Sequence, residues 1–118
     1  MNLKRNNHET IALQNDEFRK RVLRHPHPGG ICHLTRGFNA LPDLTKDRVY
    51  EMIRAKEEFD EGNDPYGEHD FGSVEIVNTP KIFWKISYYQ NRNMEYGTET
   101  PEAPTTFRVL TIMLAEEY

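Results

Sequence analysis

Nothing in the chain constrains its fold as tightly as the run Phe107 to Ala115, FRVLTIMLA, which is apolar at nearly every position. A strand with one wet face alternates polar and apolar residues. This one must be covered on both sides or placed centrally in its sheet. Its neighbours are easy to find. Phe71 to Val77 reads as a strand, Asn78-Thr79-Pro80 as a tight connection, and Lys81 to Tyr89 as the antiparallel partner. Within that partner Ile82, Trp84, Ile86 and Tyr88 share one face by strict alternation. Phe83, Lys85, Ser87 and Tyr89 share the other, which reads as half wet.

Two helices precede the sheet. Residues 10–24 place Ile11, Phe18 and Val22 on one stripe, with Arg19, Lys20, Arg21 and Arg24 turned outward or to its edges. Cations in a last turn suit the negative end of the helix dipole. His25-Pro26-His27-Pro28-Gly29-Gly30 stops that helix, and Ile31 to Arg36 reads as a short strand closed by Gly37. The second helix begins within Leu41–Thr45, where Asp43 and Thr45 both qualify as caps. It is expected to bury Val49, Met52, Ile53 and Phe59 and to fail by Gly62. The expected order is α-β-α-β-β-β, an α+β domain of two helices packed on a mostly antiparallel four-stranded sheet. Residues 10–118 form that single domain, behind a flexible segment 1–9. A chain of 118 residues buries roughly two thirds of its unfolded surface, enough for one core.

Charge narrows the function. Residues 1–61 carry 11 Lys and Arg against 10 Asp and Glu, whereas residues 62–118 carry 4 against 9. A phosphate-binding face needs clustered cations, so the strand-rich half argues against nucleic acid as a partner. The basic first helix is the exception, and a basic helix surface is commonly just a solvated face. Cys32 stands alone, which rules out an intrachain disulfide or a thiolate zinc cluster and fits a reducing compartment. The opening residues lack the apolar run of a signal peptide, and no stretch is long enough to span a bilayer. A cytoplasmic location without membrane contact is the expectation. No nucleophile elbow, phosphate loop or dinucleotide fingerprint is present, and no cofactor is expected.

The candidate site is the turn EGNDPYGEHDFG, residues 61–72. Asn63-Asp64-Pro65 opens it by bonding local amides and fixing φ, and Tyr66-Gly67 reverses the chain. Were Glu68, His69 and Asp70 already extended, the two carboxylates would point to one face and the imidazole to the other. Three convergent metal ligands are therefore not expected here, though His69 oriented by Asp64, or paired with Asp70 across a bent backbone, remains workable. If the protein is an enzyme, His69 is its acid or base with Asp70 and Glu68 beside it, since histidine titrates near neutrality unaided. The structural alternative leads: a carboxylate beside an imidazole commonly satisfies buried polar groups at a sheet edge. His25, His27, Cys32 and His33 invite a metal reading, but their spacing fits no zinc finger, and solvated loop histidines are the simpler account. No metal site is assigned.

Residues 90–106 make a long connection for a compact domain, with Tyr88, Tyr89 and Tyr96 around its start. Tyrosine gives large contact area at low entropy cost, so these three, with Asp64 and Tyr66, are candidate binding residues. Tyr88 equally suits the core beside Trp84.

Three strings together are familiar: Asn15-Asp16-Glu17-Phe18-Arg19, Asn63 to Gly72, and Arg108 to Tyr118. With Phe83-Trp84-Lys85-Ile86 and Tyr88-Tyr89 between them, the chain resembles a bacterial family of small proteins, domain of unknown function 3768, across residues 11–118. That resemblance implies a short single-domain protein often found on mobile DNA, and no activity to transfer. His25-Pro26-His27-Pro28 is outside the pattern, whereas Asp64, Tyr66, Glu68, His69 and Asp70 are inside it.

The leading expectation is a non-catalytic protein that binds another protein, as a regulator or inhibitor. A host nucleic-acid enzyme is one target class suited to an acidic protein from mobile DNA. The alternative is a small hydrolase or transferase working through His69 and its neighbouring carboxylates. A second copy of the chain could also pair along an edge, with Lys81–Tyr89 or the last strand as the candidates.

Overall fold

The computed structural model describes residues 7–60, 62 and 64–118. Two principal helices, α1 (Asn7–Val22) and α3 (Asp43–Ala55), lie with a single-turn helix α2 (Arg36–Asn39) on a four-stranded sheet. The strands are β1 (Gly30–Leu34), β2 (Phe71–Val74), β3 (Ile82–Tyr89) and β4 (Phe107–Leu114), arranged β1-β4-β3-β2. β3 pairs antiparallel with β2 and β4, while β1 runs parallel to β4 with Leu34 opposite Ile112. The α+β architecture and the mostly antiparallel sheet are as expected. The parallel edge pair adds to them.

Register explains the core. Ile82, Trp84 and Ile86 stand opposite Leu114, Ile112 and Leu110, so all six point to one face. Phe18, Phe38, Val49 and Ile53 close over that face from the helices. Burying a side chain of this size contributes roughly 1.5–3 kcal/mol. Both readings of β4 hold: it is central in the sheet and buried on both faces. Its second face is sheltered by its neighbours and by aromatic contacts, with Arg92 over the Phe107 ring and Tyr118 against Phe71 and Phe83.

Gly72 is required by close approach. It faces Trp84 across β2 and β3, and a Cβ there would sit 2.5 Å from the indole nitrogen. That nitrogen, Trp84 Nε1, is buried with no hydrogen-bond partner among the described residues.

Several local expectations need correction. The first strand ends at Leu34, because Thr35 caps α2, its hydroxyl accepting from the Phe38 N–H. Neither Asp43 nor Thr45 caps α3. Pro42 holds the cap position, with φ fixed at −57°, and Asp43 is the first helical residue. Met52 is 38% exposed, one position off the Val49–Ile53 stripe. Phe59 lies beyond the end of α3 and reaches the core edge from an extended segment. β2 stops at Val74, and the turn that follows is closed by the Thr79 N–H on the Ile76 carbonyl, with Asn78 at φ 63°. Arg19 is fully buried instead of outward. α1 already includes Asn7, His8 and Glu9, and residues 1–6 of the expected flexible segment lie outside the described residues.

The proposed dimerisation edges are also displaced. β3 and β4 both lie inside the sheet, and the edges are β1 and β2. Even the end of β3 beyond β2 is covered, since Asp70 accepts from the Ile86 N–H and Tyr88 from the Thr98 N–H.

Candidate functional site

β2 begins at Phe71, so Glu68, His69 and Asp70 belong to the turn that feeds it. Asp64 knits that turn together: its buried carboxylate accepts from the main-chain N–H of Glu68 (3.0 Å) and of His69 (3.1 Å). Asn63, the expected turn opener, is outside the described residues. Gly67 and His69 both adopt left-handed backbone, at φ 68° and 57°. For a residue with a Cβ this conformation costs roughly 1 kcal/mol, and the two amide bonds to Asp64 hold it in place.

The imidazole of His69 is held through Nδ1 and through one face of its ring. Nδ1 lies 3.0 Å from both carboxylate oxygens of Asp16 on α1. A carboxylate only accepts, so Nδ1 carries the hydrogen. Nε2 faces Asp64 Oδ2 at 3.9 Å. The ring stacks on Phe59 with centroids 4.1 Å apart and planes 7° from parallel. Asp16 is held in turn by Arg19, whose Nη1 donates at 3.0 Å while Nε and Nη2 donate to the carbonyls of Ile53 and Lys56. The Arg19 guanidinium sits 5.4 Å from the ring centres of both Phe59 and Trp84. One continuous set of contacts thus joins α1, the end of α3 and the turn.

Glu68 and Asp70 point the other way, toward Tyr88. The Tyr88 hydroxyl donates to Glu68 Oε1 at 3.2 Å and approaches Asp70 Oδ2 at 3.5 Å, while accepting from Asn15 Nδ2 at 2.8 Å. His8 Nδ1 meets the second Glu68 oxygen at 2.6 Å. Burial pushes the Tyr88 hydroxyl well above the usual phenol range, with the Asp70 charge adding to it. Burial likewise raises Asp70, helped by the charges of Glu68 and Asp64. The carboxylates on one side and the imidazole on the other match the geometry expected of an extended segment, although here a left-handed residue produces it.

Among the candidate binding residues, the structure separates what the sequence grouped. Tyr88 is an interior network residue, while Tyr89 points to the opposite face and is bridged to Gly97. Tyr96 and Tyr66 are exposed, Tyr66 stacking on His8 at 5.7 Å. Tyr66 also borders an open cleft of about 400 Å³ whose walls include Asp70, Phe71, Lys85 and Tyr118. His69 is not among the walls of this cleft.

Sequence reasoning missed Asn15, Asp16, Arg19 and Arg108. Asn15 is fully buried and links Tyr88 and the Glu68 carbonyl to Arg108 Nε. A signal existed, because Asn15 and Arg19 fall on the same helical stripe as Ile11, Phe18 and Val22, and polar residues there need interior partners. Asp16 gave no such signal. Among the described residues no three His, Cys, Asp or Glu side chains gather as a metal would require. Cys32 and His33 take opposite faces of β1, and burial pushes the Cys32 thiol up to about 12. No described helix is long and apolar enough to cross a membrane.

Fold and site together define a small two-layer α+β protein whose ionisable turn is tied into its own helices. The chain belongs to the family described as protein of unknown function DUF3768, whose model matches residues 34–117. That stretch contains the turn and β2 to β4, whereas α1, with Asn15, Asp16 and Arg19, lies outside it. No curated protein and no solved structure matches the chain.

Proposed function

We propose that this protein acts by binding another protein, in a regulatory or inhibitory role, and not by catalysis. The observation that carries this reading is the use of His69 as a tie within the fold: Nδ1 is bonded to Asp16, the ring is stacked on Phe59, and His69 is not among the walls of the Tyr66 cleft. A general base must reach a substrate proton, and a cleft beside the ring is where that substrate would sit. By contrast, Tyr66, Phe71 and Tyr118 surround an open cleft with Lys85 at its side. Tyr66 and Tyr118 are exposed, and tyrosine is among the residues enriched in protein-recognition patches.

The target class follows from charge. A binding protein whose strand-rich half is acidic suits a basic partner surface, and electrostatic attraction speeds such encounters. The mobile-DNA setting implied by the family resemblance makes a host nucleic-acid enzyme, with its basic channel, the partner we favour.

A second reading rests on Asp70. It is the one ionisable residue of the turn that both lines the cleft and is raised by burial, and Lys85 lines the same cleft. A raised carboxyl in a cleft is a recognised mark of acid–base chemistry. The two readings are tested together by affinity purification of tagged wild type, Tyr66→Ala/Tyr118→Ala and Asp70→Asn proteins from cells. The binding reading expects one partner retained by wild type and Asp70→Asn but lost by the aromatic double variant. A partner held equally by all three proteins, or none at low salt, overturns it.

A further inference from the structure

Arg108 is the single cation of β4 and is 7% exposed. Every acceptor it reaches is neutral. Nε donates to Asn15 Oδ1 at 2.7 Å, and Nη2 donates to Gln14 Oε1 at 2.8 Å and the Pro101 carbonyl at 3.0 Å. The Tyr88 ring lies beneath it, 5.6 Å from the guanidinium carbon. Interior charges are normally paired with an opposite charge, because an uncompensated ion is costly to desolvate. Arg19, the other interior arginine, follows that rule through Asp16. Arg108 makes no ion pair among the described residues, and burial draws its pKa below the ordinary arginine value.

What Arg108 does have is a cleft. Arg108 lines a recess of about 190 Å³ between α1, the turn at Gly29 and the loop at Ala103–Thr106. Nη1 has no acceptor among the described residues. His27 lines the same recess. Its Nδ1 accepts from the Gly29 N–H at 2.8 Å, so the neutral ring carries its hydrogen on Nε2 and offers a second donor. Phe18, Ala103 and Pro104 supply apolar walls. Glu17 also borders the recess, 3.8 Å from His27 Nε2, but it is largely exposed and paired with Arg21 at 3.2 Å.

We propose that this recess binds a small oxyanion, a carboxylate or a phosphate, through Arg108 Nη1 and His27 Nε2. Glu17 acts on Arg108 only from a distance, and the anion supplies the direct ion pair that Arg108 lacks among the described residues. The site lies away from the Tyr66 cleft and does not depend on the protein-binding reading. A guanidinium is well matched to either ligand, since its planar fork meets two oxygens at once.

The test uses the full chain titrated separately with sodium acetate and with inorganic phosphate, against chloride at constant ionic strength. Side-chain and amide NMR signals and the thermal midpoint are the readouts. Saturable shifts at the Gly29 amide and the Arg108 Nε–H, with a rising midpoint, are expected for at least one anion, and which one responds separates carboxylate from phosphate. Gln14→Glu places a carboxylate against Arg108 Nη2. It is expected to raise the midpoint in chloride alone and to abolish the saturable response. Ala103→Leu fills the recess and also removes the response, while Glu17→Gln strengthens it severalfold. Shifts that stay linear in concentration for both anions overturn the proposal. So does a saturable response that survives both Gln14→Glu and Ala103→Leu.

Discussion

Asp16 holds the Nδ1 hydrogen of His69 between its two carboxylate oxygens, at 3.0 Å each, across 53 positions of sequence. This pair fastens the first helix to the turn before β2, in a left-handed backbone that histidine seldom adopts. His69→Ala removes the ring stack and the charge-assisted bond, so about 2 kcal/mol of stability is expected to disappear in urea unfolding. His69→Gly loses the same contacts but relieves the backbone, and should be about 1 kcal/mol more stable than the alanine variant. A double-mutant cycle with Asp16→Asn is expected to give a coupling of about 1 kcal/mol. Strict additivity would show that the bond does not couple the two residues.

Two carboxylates should titrate with opposite signs. Asp70 is raised in the folded state, chiefly by burial. It binds its proton more readily folded than unfolded, so its contribution favours folding at low pH and is lost as pH climbs from its unfolded value through its raised one. Asp70→Asn is therefore expected to stabilise the protein at neutral pH and to have no such effect in strong acid. Equal gains at both extremes would contradict this.

Glu117 behaves conversely. Its carboxylate accepts from the Thr35 hydroxyl at 2.5 Å and from the N–H groups of Gly37 and Leu114, and these bonds hold it below the usual carboxylate range, the Thr35 bond foremost. The stability it contributes is present above its unfolded pKa and is lost as pH falls through its lowered folded value. Glu117→Gln should flatten that acid limb in a pH series of chemical denaturation midpoints.

Gly72→Ala drives a methyl group into the Trp84 indole, 2.5–2.6 Å away. Both strands are fixed by register, so the clash cannot relax cheaply. A loss of about 2–3 kcal/mol, with an altered tryptophan fluorescence spectrum, is expected. An unchanged spectrum and midpoint would mean that β2 can move off β3.

Cys32 should resist thiol reagents near neutral pH, since burial raises it to about 12 and the thiolate is the reactive form. Labelling is expected to follow global unfolding, accelerating with urea in step with the loss of tryptophan signal. Rapid labelling of the folded protein in the absence of denaturant would show that β1 frays from the edge of the sheet.

Periodicity carried the sequence reading as far as local physics extends. Alternation from Ile82 to Tyr88 and the apolar run of β4 were enough for the sheet and its helix-covered face, but the central place of the last strand stayed one of two readings, and that strand was also offered as an edge. The parallel pairing of β1 with β4 was not legible, because a five-residue strand contains no mark of its partner's direction. The turn was legible as a turn, and Asp64 as its organiser. Its function as a tie to α1 was not, since Asp16 occupies an ordinary half-exposed helix position with no local signature. Arg108 is the one charge inside an apolar strand, and the sequence reading passed over it. Such an exception is readable as an interior polar group only when the stripe is trusted over the side chain's usual preference for water.

The order of the strands has a consequence for how the molecule is made. β4 fills the slot between β1 and β3, yet it follows both along the chain. A nascent polypeptide that has released everything up to Tyr89 holds two sheet margins with no occupant between them, and α1 and α3 have only half a surface to settle on. Synthesis must therefore reach Leu114 before the layers can lock. Until then the waiting margins are the stretch most exposed to chaperones, and to mispairing with other chains.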